Sequence, residues 1–162
     1  NASNWYRAMI INKGARDGIH PEMGVITDAG VVGRVVRVNP TTAIVLLLSD
    51  PNVAITAMIQ NTRDEGIIQG TPQGIIHMKY LPPLSPFHPG DPVVTSGLTD
   101  DFPRGLQIGR IKQVTKADTD LFQLGEIEPT VDFSKLEGVL IITSFQTSLP
   151  ESLSEKAIPS SP

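Results

Sequence analysis

Cysteine is absent from the 162 residues, which excludes a disulfide framework, a thiol nucleophile and cysteine-ligated zinc or iron–sulfur sites. The absence leaves the compartment open, because cysteine-free domains occur on both sides of a membrane. Excess positive charge is lacking too: 13 Lys and Arg against 17 Asp and Glu give a net charge of -4, so there is no electrostatic footprint for nucleic acid or anionic lipid. Aromatic residues make up only 5%, too few for an obvious stacking platform. The longest apolar run is AIVLLL at 43–48, far short of the roughly 18 residues of a membrane span. No signal peptide opens the chain, and the start at Asn1 without methionine reads as a piece cut from a longer protein, its anchor or address lying elsewhere.

Glycine and proline, by contrast, are plentiful at 14 each, so turns are frequent and long helices few. Short runs rich in Val, Ile and Thr recur between turn formers: RAMII (7–11), GVIT (24–27), VVGRVVRV (31–38), TAIVLLLS (42–49), VAITAMIQ (53–60), EGIIQG (65–70), GIIHM (74–78), DPVVT (91–95), LQIGRIKQV (106–114), QLGEIE (123–128) and GVLIIT (138–143). About eleven candidate strands and no helix of ten residues predict an all-β sandwich or barrel protein, with at most one helical turn near Phe133–Leu136. The proline-rich LPPLSPFHPG (81–90) reads as a loop, because proline cannot donate to a strand ladder. Beyond Gln146 the chain is polar and aperiodic, and 146–162 is expected to be a disordered tail.

An internal repeat organises these strands. His20-Pro21 to Thr27-Asp28 aligns with His88-Pro89 to Thr95-Ser96 at an offset of 68, and Gly33-Arg34-Val35-Val36-Arg37-Val38 with Gly109-Arg110-Ile111-Lys112-Gln113-Val114 at an offset of 76. The second copy therefore carries eight extra residues within GLTDDFPRGLQI, and two similar small β units are expected.

Ser96 follows an apolar strand run, as some hydrolase nucleophiles do, but the repeat gives it the turn position that Asp28 holds in the first copy. The elbow G-x-S-x-G is missing at Val94 to Leu98, and only His20, His77 and His88 are available as a base. His20 and His88 precede proline at equivalent places, which points to a shared loop role; His77 belongs to a strand face. No histidine pair has ligand spacing, and Asp64-Glu65 and Asp100-Asp101 read as solvated turn pairs, so no metal or cofactor is expected. Arg34 and Arg110 read as outward arginines shielding a strand, or else as members of a salt bridge or partner contact. Tyr80, Phe87, Leu98 and Phe102 are apolar residues in loop-like stretches; they either cap a barrel's open end or form a partner interface.

The stretches NWYRAMIINKGARDGIHPEMGVITDAGVVGRVVRVNPTTAIVLLLSDPNVAI, GDPVVTSGLTDDFPRGLQIGRI and EPTVDFSKLEGVLII together resemble the extracytoplasmic region of the bacterial rod-shape-determining MreC family over about residues 4–143. The resemblance implies two small six-stranded β-barrels at the outer face of the inner membrane, in the periplasm, anchored in the full-length protein by a helix that this chain lacks. It also implies a noncatalytic scaffold of the cell-elongation machinery. Its expected partners are the elongation-specific penicillin-binding transpeptidase, MreD, RodA, indirectly the actin-like MreB, and further copies of itself. Barrels of this family have been likened to chymotrypsin-type barrels, but no catalytic residue carries over. The expected arrangement is a first barrel from 4–50 plus 136–145, a second from 51–135 inserted within it, and the tail at 146–162. A serine hydrolase centred on Ser96, or a glycan-binding module using Trp5, Tyr80 and Phe87, are the alternatives.

Overall fold

A computed structural model describes residues 7–116 and 121–143; the expected tail at 146–162 and the start of the first unit at 4–6 lie outside these residues. Eleven strands are formed among them, all in antiparallel pairs: β1 (Ala8–Ile11), β2 (Gly24–Thr27), β3 (Gly30–Val38), β4 (Ala43–Leu47), β5 (Ala54–Ile59), β6 (Glu65–Gly70), β7 (Ile76–Leu81), β8 (Pro92–Thr95), β9 (Gln107–Lys116), β10 (Gln123–Pro129) and β11 (Leu140–Ile141). The anticipated helical turn is a 3-10 turn at Phe133–Lys135, capped by the Asp132 carboxylate, and a second such turn covers Ala15–Asp17.

Strands β5 to β10 close into a six-stranded barrel in the order β10-β7-β6-β5-β8-β9. The other five form a sheet in the order β1-β4-β3-β2-β11, in which the late strand β11 pairs with β2. The first unit is thus not the closed six-stranded barrel expected of it: among the described residues it is an open sheet. The reason is local, since β1 and β11 each pair on one side only, whereas β7 and β5 of the barrel are bridged by β6.

Sheet and barrel nevertheless share a pairing register. Gly24↔Arg34, Val25↔Gly33 and Ile26↔Val31 of β2–β3 correspond to Pro92↔Arg110, Val93↔Gly109 and Val94↔Gln107 of β8–β9, with a bulge at the same step in each. The match continues into the next strand, where Val35↔Val45 and Val38↔Ala43 correspond to Ile111↔Ile127 and Val114↔Gly125. Both hairpins also cross their next strand at a glycine. A Cβ on Gly33 would lie 1.8 Å from the Leu46 carbonyl oxygen, and one on Gly109 would lie 2.2 Å from that of Glu128, so neither place admits a side chain without a backbone shift.

The apolar run at 43–48 is explained by burial on both faces of β4 and its extension. Val45 packs with Val25, Val32 and Val35 in a core on one side of the sheet, while Leu46 and Leu48 join Val31 in a larger core shared with the barrel. A strand covered on both faces loses the polar alternation of a half-exposed one.

Where these strands end, Asp50 and Asp132 play the same local part: each carboxylate accepts the backbone N–H two residues on, from Asn52 at 2.8 Å and from Ser134 at 3.0 Å. The hydroxyl and then the backbone N–H of Ser134 hold the Asp132 carboxyl below its ordinary range against the opposing effect of desolvation, and the Lys135 ammonium adds a lesser pull in the same direction as Ser134. Because the folded-state value is depressed, this contribution is present above the unfolded-state value and lost as pH falls through the folded one. An NMR titration of the Ser134 amide is therefore expected to show its inflection below the usual aspartate range, and Asp132→Ala to abolish it.

Candidate partner-binding surface

The four apolar residues singled out in the sequence fall into two classes. Phe87 and Phe102 are 6% and 1% exposed and belong to the core shared by barrel and sheet, so they cap the barrel and are withdrawn from any open surface. Tyr80 and Leu98 are 56% and 63% exposed. They do not form one patch: Tyr80 is the penultimate residue of β7 and Leu98 follows β8, with β6 and β5 between them in the barrel order.

Around Tyr80 the structure assembles a surface that the sequence did not announce. The β7–β10 pairing sets Tyr80 edge-to-face with Phe122, ring centroids 5.6 Å apart and planes at 86°, in the geometry aromatic pairs favour. Leu121, Phe122 and Leu84 are exposed beside these strand ends. The loop bearing Leu84 is held firmly, because Gln123 Nε2 donates to the carbonyls of Pro82, Pro83 and Ser85 at 2.9, 3.0 and 3.1 Å. Ser85 Oγ donates to the Asp64 carboxylate, and Phe87 plugs the far end of the loop into the core. Tyr80 itself has φ 65°, a left-handed backbone that an aromatic residue rarely adopts and that fixed surroundings must impose. Three prolines, a braced loop and a strained tyrosine make a preorganised apolar surface, which lowers the ordering cost of binding.

The chemical alternatives find little footing. Ser96 is nearly buried, and its Oγ accepts the Leu98 N–H at 3.4 Å in a turn; no hydrogen bond joins it to a histidine among the described residues. The His20 and His88 backbone N–H groups are engaged three residues on, by Met23 Sδ at 3.3 Å and Asp91 Oδ2 at 2.8 Å, which is the shared loop role, while His77 sits in β7 opposite Gln69 and Glu126. No group of three metal-ligating side chains occurs among the described residues. A groove of about 750 Å³ between sheet and barrel mixes Arg7 and Lys112 with Glu126 and Glu128, and Phe133 is the one aromatic lining it. Trp5, named for a glycan site, lies outside the described residues.

Asp101 corrects one expectation, and Arg34 takes the second of its two expected roles, the salt bridge. Arg34 is not an outward shield but half-buried, donating from Nε at 3.1 Å and from Nη2 to Asp101 Oδ2. Asp101 is accordingly a buried ion-pair partner and not a solvated turn residue. Arg110 stays at the surface and donates to the Gly90 carbonyl at 2.8 Å. No helix among the described residues is long and apolar enough to cross a membrane.

Comparison with known proteins places this architecture. The family model for the barrel core of the rod shape-determining protein MreC matches residues 1–143. The cell shape-determining protein MreC of Listeria monocytogenes is 35% identical over 147 residues; the alignment covers 88% of this chain and 50% of that protein, so the chain spans about half the length of this relative. Among solved structures, MreC from Pseudomonas aeruginosa superposes with a TM-score of 0.79 at 28% identity, covering 87% of this chain and 92% of that one. A further fold match, at 19% identity and a TM-score of 0.59 over 65% of this chain and 66% of that one, comes from a complex between penicillin-binding protein PBP2 and MreC of Helicobacter pylori. The chain belongs to the MreC family of rod shape-determining proteins.

Proposed function

We propose that the chain is a noncatalytic scaffold of the cell-elongation machinery, acting at the outer face of the inner membrane and anchored there in the full-length protein. It docks an elongation-specific penicillin-binding transpeptidase and, with MreD and RodA, couples peptidoglycan synthesis indirectly to MreB; it also self-associates. The carrying observation is the braced Tyr80–Phe122 surface in a family one of whose members forms a complex with PBP2. A rigid body that presents separate surfaces at fixed spacing raises the effective concentration of its partners for one another, which needs no bond-making residue. Leu98 stands on a different face and belongs to a second contact or to the rim of the first.

The finer architecture is part of the same reading. The open sheet follows the strand plan of β5–β10 without closing, both descend from one duplicated unit, and the second, 51–135, is inserted in the first, 4–50 plus 136–145. The shared register, bulges and terminal aspartates support this.

The test is titration of the purified chain with the soluble PBP2-type transpeptidase of the same organism. Tyr80→Glu is expected to weaken binding at least about tenfold, the loss typical of truncating an anchor residue, without changing the melting temperature by more than a few degrees. Leu98→Glu should weaken it less, and Leu140→Glu, exposed on the other sheet, not at all. Unchanged affinity in both Tyr80→Glu and Leu98→Glu would remove these residues from the interface.

A further inference from the structure

We propose that the β8–β9 loop is a latch that sets the angle between sheet and barrel. This loop, residues 96–106, contains the eight extra residues of the second copy; its counterpart between β2 and β3 is a tight turn in which Thr27 Oγ1 accepts the Ala29 N–H at 3.1 Å. The longer loop leaves the barrel and reaches the sheet. There the Asp101 carboxylate takes two guanidinium N–H groups of Arg34 on Oδ2 and the Thr99 hydroxyl on Oδ1. Arg34 Nη2 also donates to the Ala54 carbonyl at 3.0 Å, so one side chain of β3 grips the barrel at both the loop and the start of β5. The pair is largely withdrawn from water, with 16% and 6% of the two side chains exposed.

Beside the ion pair, the loop lies directly over β2. A Cβ on Gly24 would stand 2.4 Å from the Asp101 carbonyl oxygen and 2.6 Å from the Phe102 ring. A bare backbone at this position is thus what lets the loop seat.

Two kinds of force act at this junction, and they do different things. The shared core of Val31, Leu46, Leu48 and Phe102 with the barrel residues is apolar, and apolar attraction is non-directional: it holds the two bodies together but permits one to rock on the other. Only two chain crossings, after β4 and after β10, join them covalently. The forked Arg34 guanidinium on a fixed carboxylate is directional, and such buried pairs are better suited to selecting one arrangement than to adding net stability. Leu98 stands three residues before Asp101, so a protein gripping Leu98 pulls on the element that fixes the inter-body angle; the latch itself does not depend on that contact.

The chain's lack of cysteine makes the test direct, since Arg37→Cys on the sheet and Glu65→Cys on the barrel give two unique spin-label sites, both exposed. Pulsed dipolar spectroscopy is expected to return a narrow distance distribution for the otherwise unchanged chain. Asp101→Asn keeps the shape but removes the charge, and Gly24→Ala displaces the loop, Asp101 with it, while keeping both charged side chains; each should widen the distribution about twofold or more. Ile68→Val, buried in the barrel wall away from the loop, lowers stability without touching the latch and should leave the width unchanged. An unchanged width in folded Asp101→Asn or Gly24→Ala overturns the proposal, and so does equal widening in Ile68→Val.

Discussion

Phe102→Ala is expected to lower the unfolding free energy by about 3–5 kcal/mol, the usual cost of truncating a buried phenylalanine. The ring is 1% exposed and contributes to a core drawn from both barrel and sheet. What makes the upper half of that range the better expectation is the floor beneath it. Gly24 has no side chain to swing into the space, and its backbone is held in register by pairs to Arg34 on one side and by its carbonyl accepting the Ile142 N–H at 2.9 Å on the other. A cavity whose walls cannot relax keeps its full cost. For a chain of this size such a loss lowers the melting temperature by about 10 °C. Urea unfolding followed by circular dichroism measures it, and Phe102→Leu should recover most of the loss by refilling the volume. A loss below about 1 kcal/mol for alanine would mean that the loop is an ornament of the barrel and no part of the core.

That prediction could not have been made from the sequence, and the reason shows which kind of information is local. Strand positions were readable because Val, Ile and Thr runs between Gly, Pro and Asp pairs carry their own signal, and all eleven runs contain strand residues. The likeness of His20–Thr27 to His88–Thr95 was readable because the same turn geometry needs the same residue types. In the next strand the likeness is confined to the backbone. Leu46 and Glu128 hold equivalent places opposite Arg34 and Arg110, yet Leu46 is covered by the barrel while Glu128 faces water beside Lys112, so the backbone register is kept and the side chains diverge. Asp101 was misread for a related reason. Two adjacent acids look like a solvated turn unless their partner is known, and Arg34 stands 67 residues away. The candidate surface suffered most. Tyr80 was recognised, but Phe122 meets it only through the β7–β10 pairing, and Phe87 and Phe102 could not be told from surface residues without knowing which way their loops fold. Long loops in a small β protein are ambiguous in this sense: their apolar residues are either lids or handles, and only tertiary structure decides.

The second large effect belongs to Asp50, where a charged side chain is fully buried at the crossing from sheet to barrel. Its carboxylate accepts the Asn52 backbone N–H at 2.8 Å and the Asn52 side-chain amide at 3.0 Å on Oδ1, and the Arg7 N–H at 2.8 Å on Oδ2. The last bond reaches back 43 residues to the chain just before β1, where the Arg7 carbonyl in turn accepts the Leu47 N–H at 2.8 Å. One carboxylate thus folds the crossing into its turn and pins an edge strand that has a single neighbour. Hydrogen bonds to a charged acceptor contribute about 1.5–3 kcal/mol each, and donors left without an acceptor add a desolvation cost. The bonds are not independent, so Asp50→Ala is expected to cost about 4 kcal/mol rather than their sum. Asp50→Asn separates the two jobs: its amide oxygen still serves Asn52, but its NH₂ faces the Arg7 N–H, donor against donor. That variant should lose about 1–2 kcal/mol and, in hydrogen exchange, release the Leu47 amide while leaving the Ala57–Gly66 pairing of the barrel protected. Equal losses in the alanine and asparagine variants would show that Arg7, and with it the edge strand, carries the whole effect; no loss in either would mean that the crossing holds its shape through Pro51 and the cores alone, and the assignment of Asp50 as the pin would be wrong.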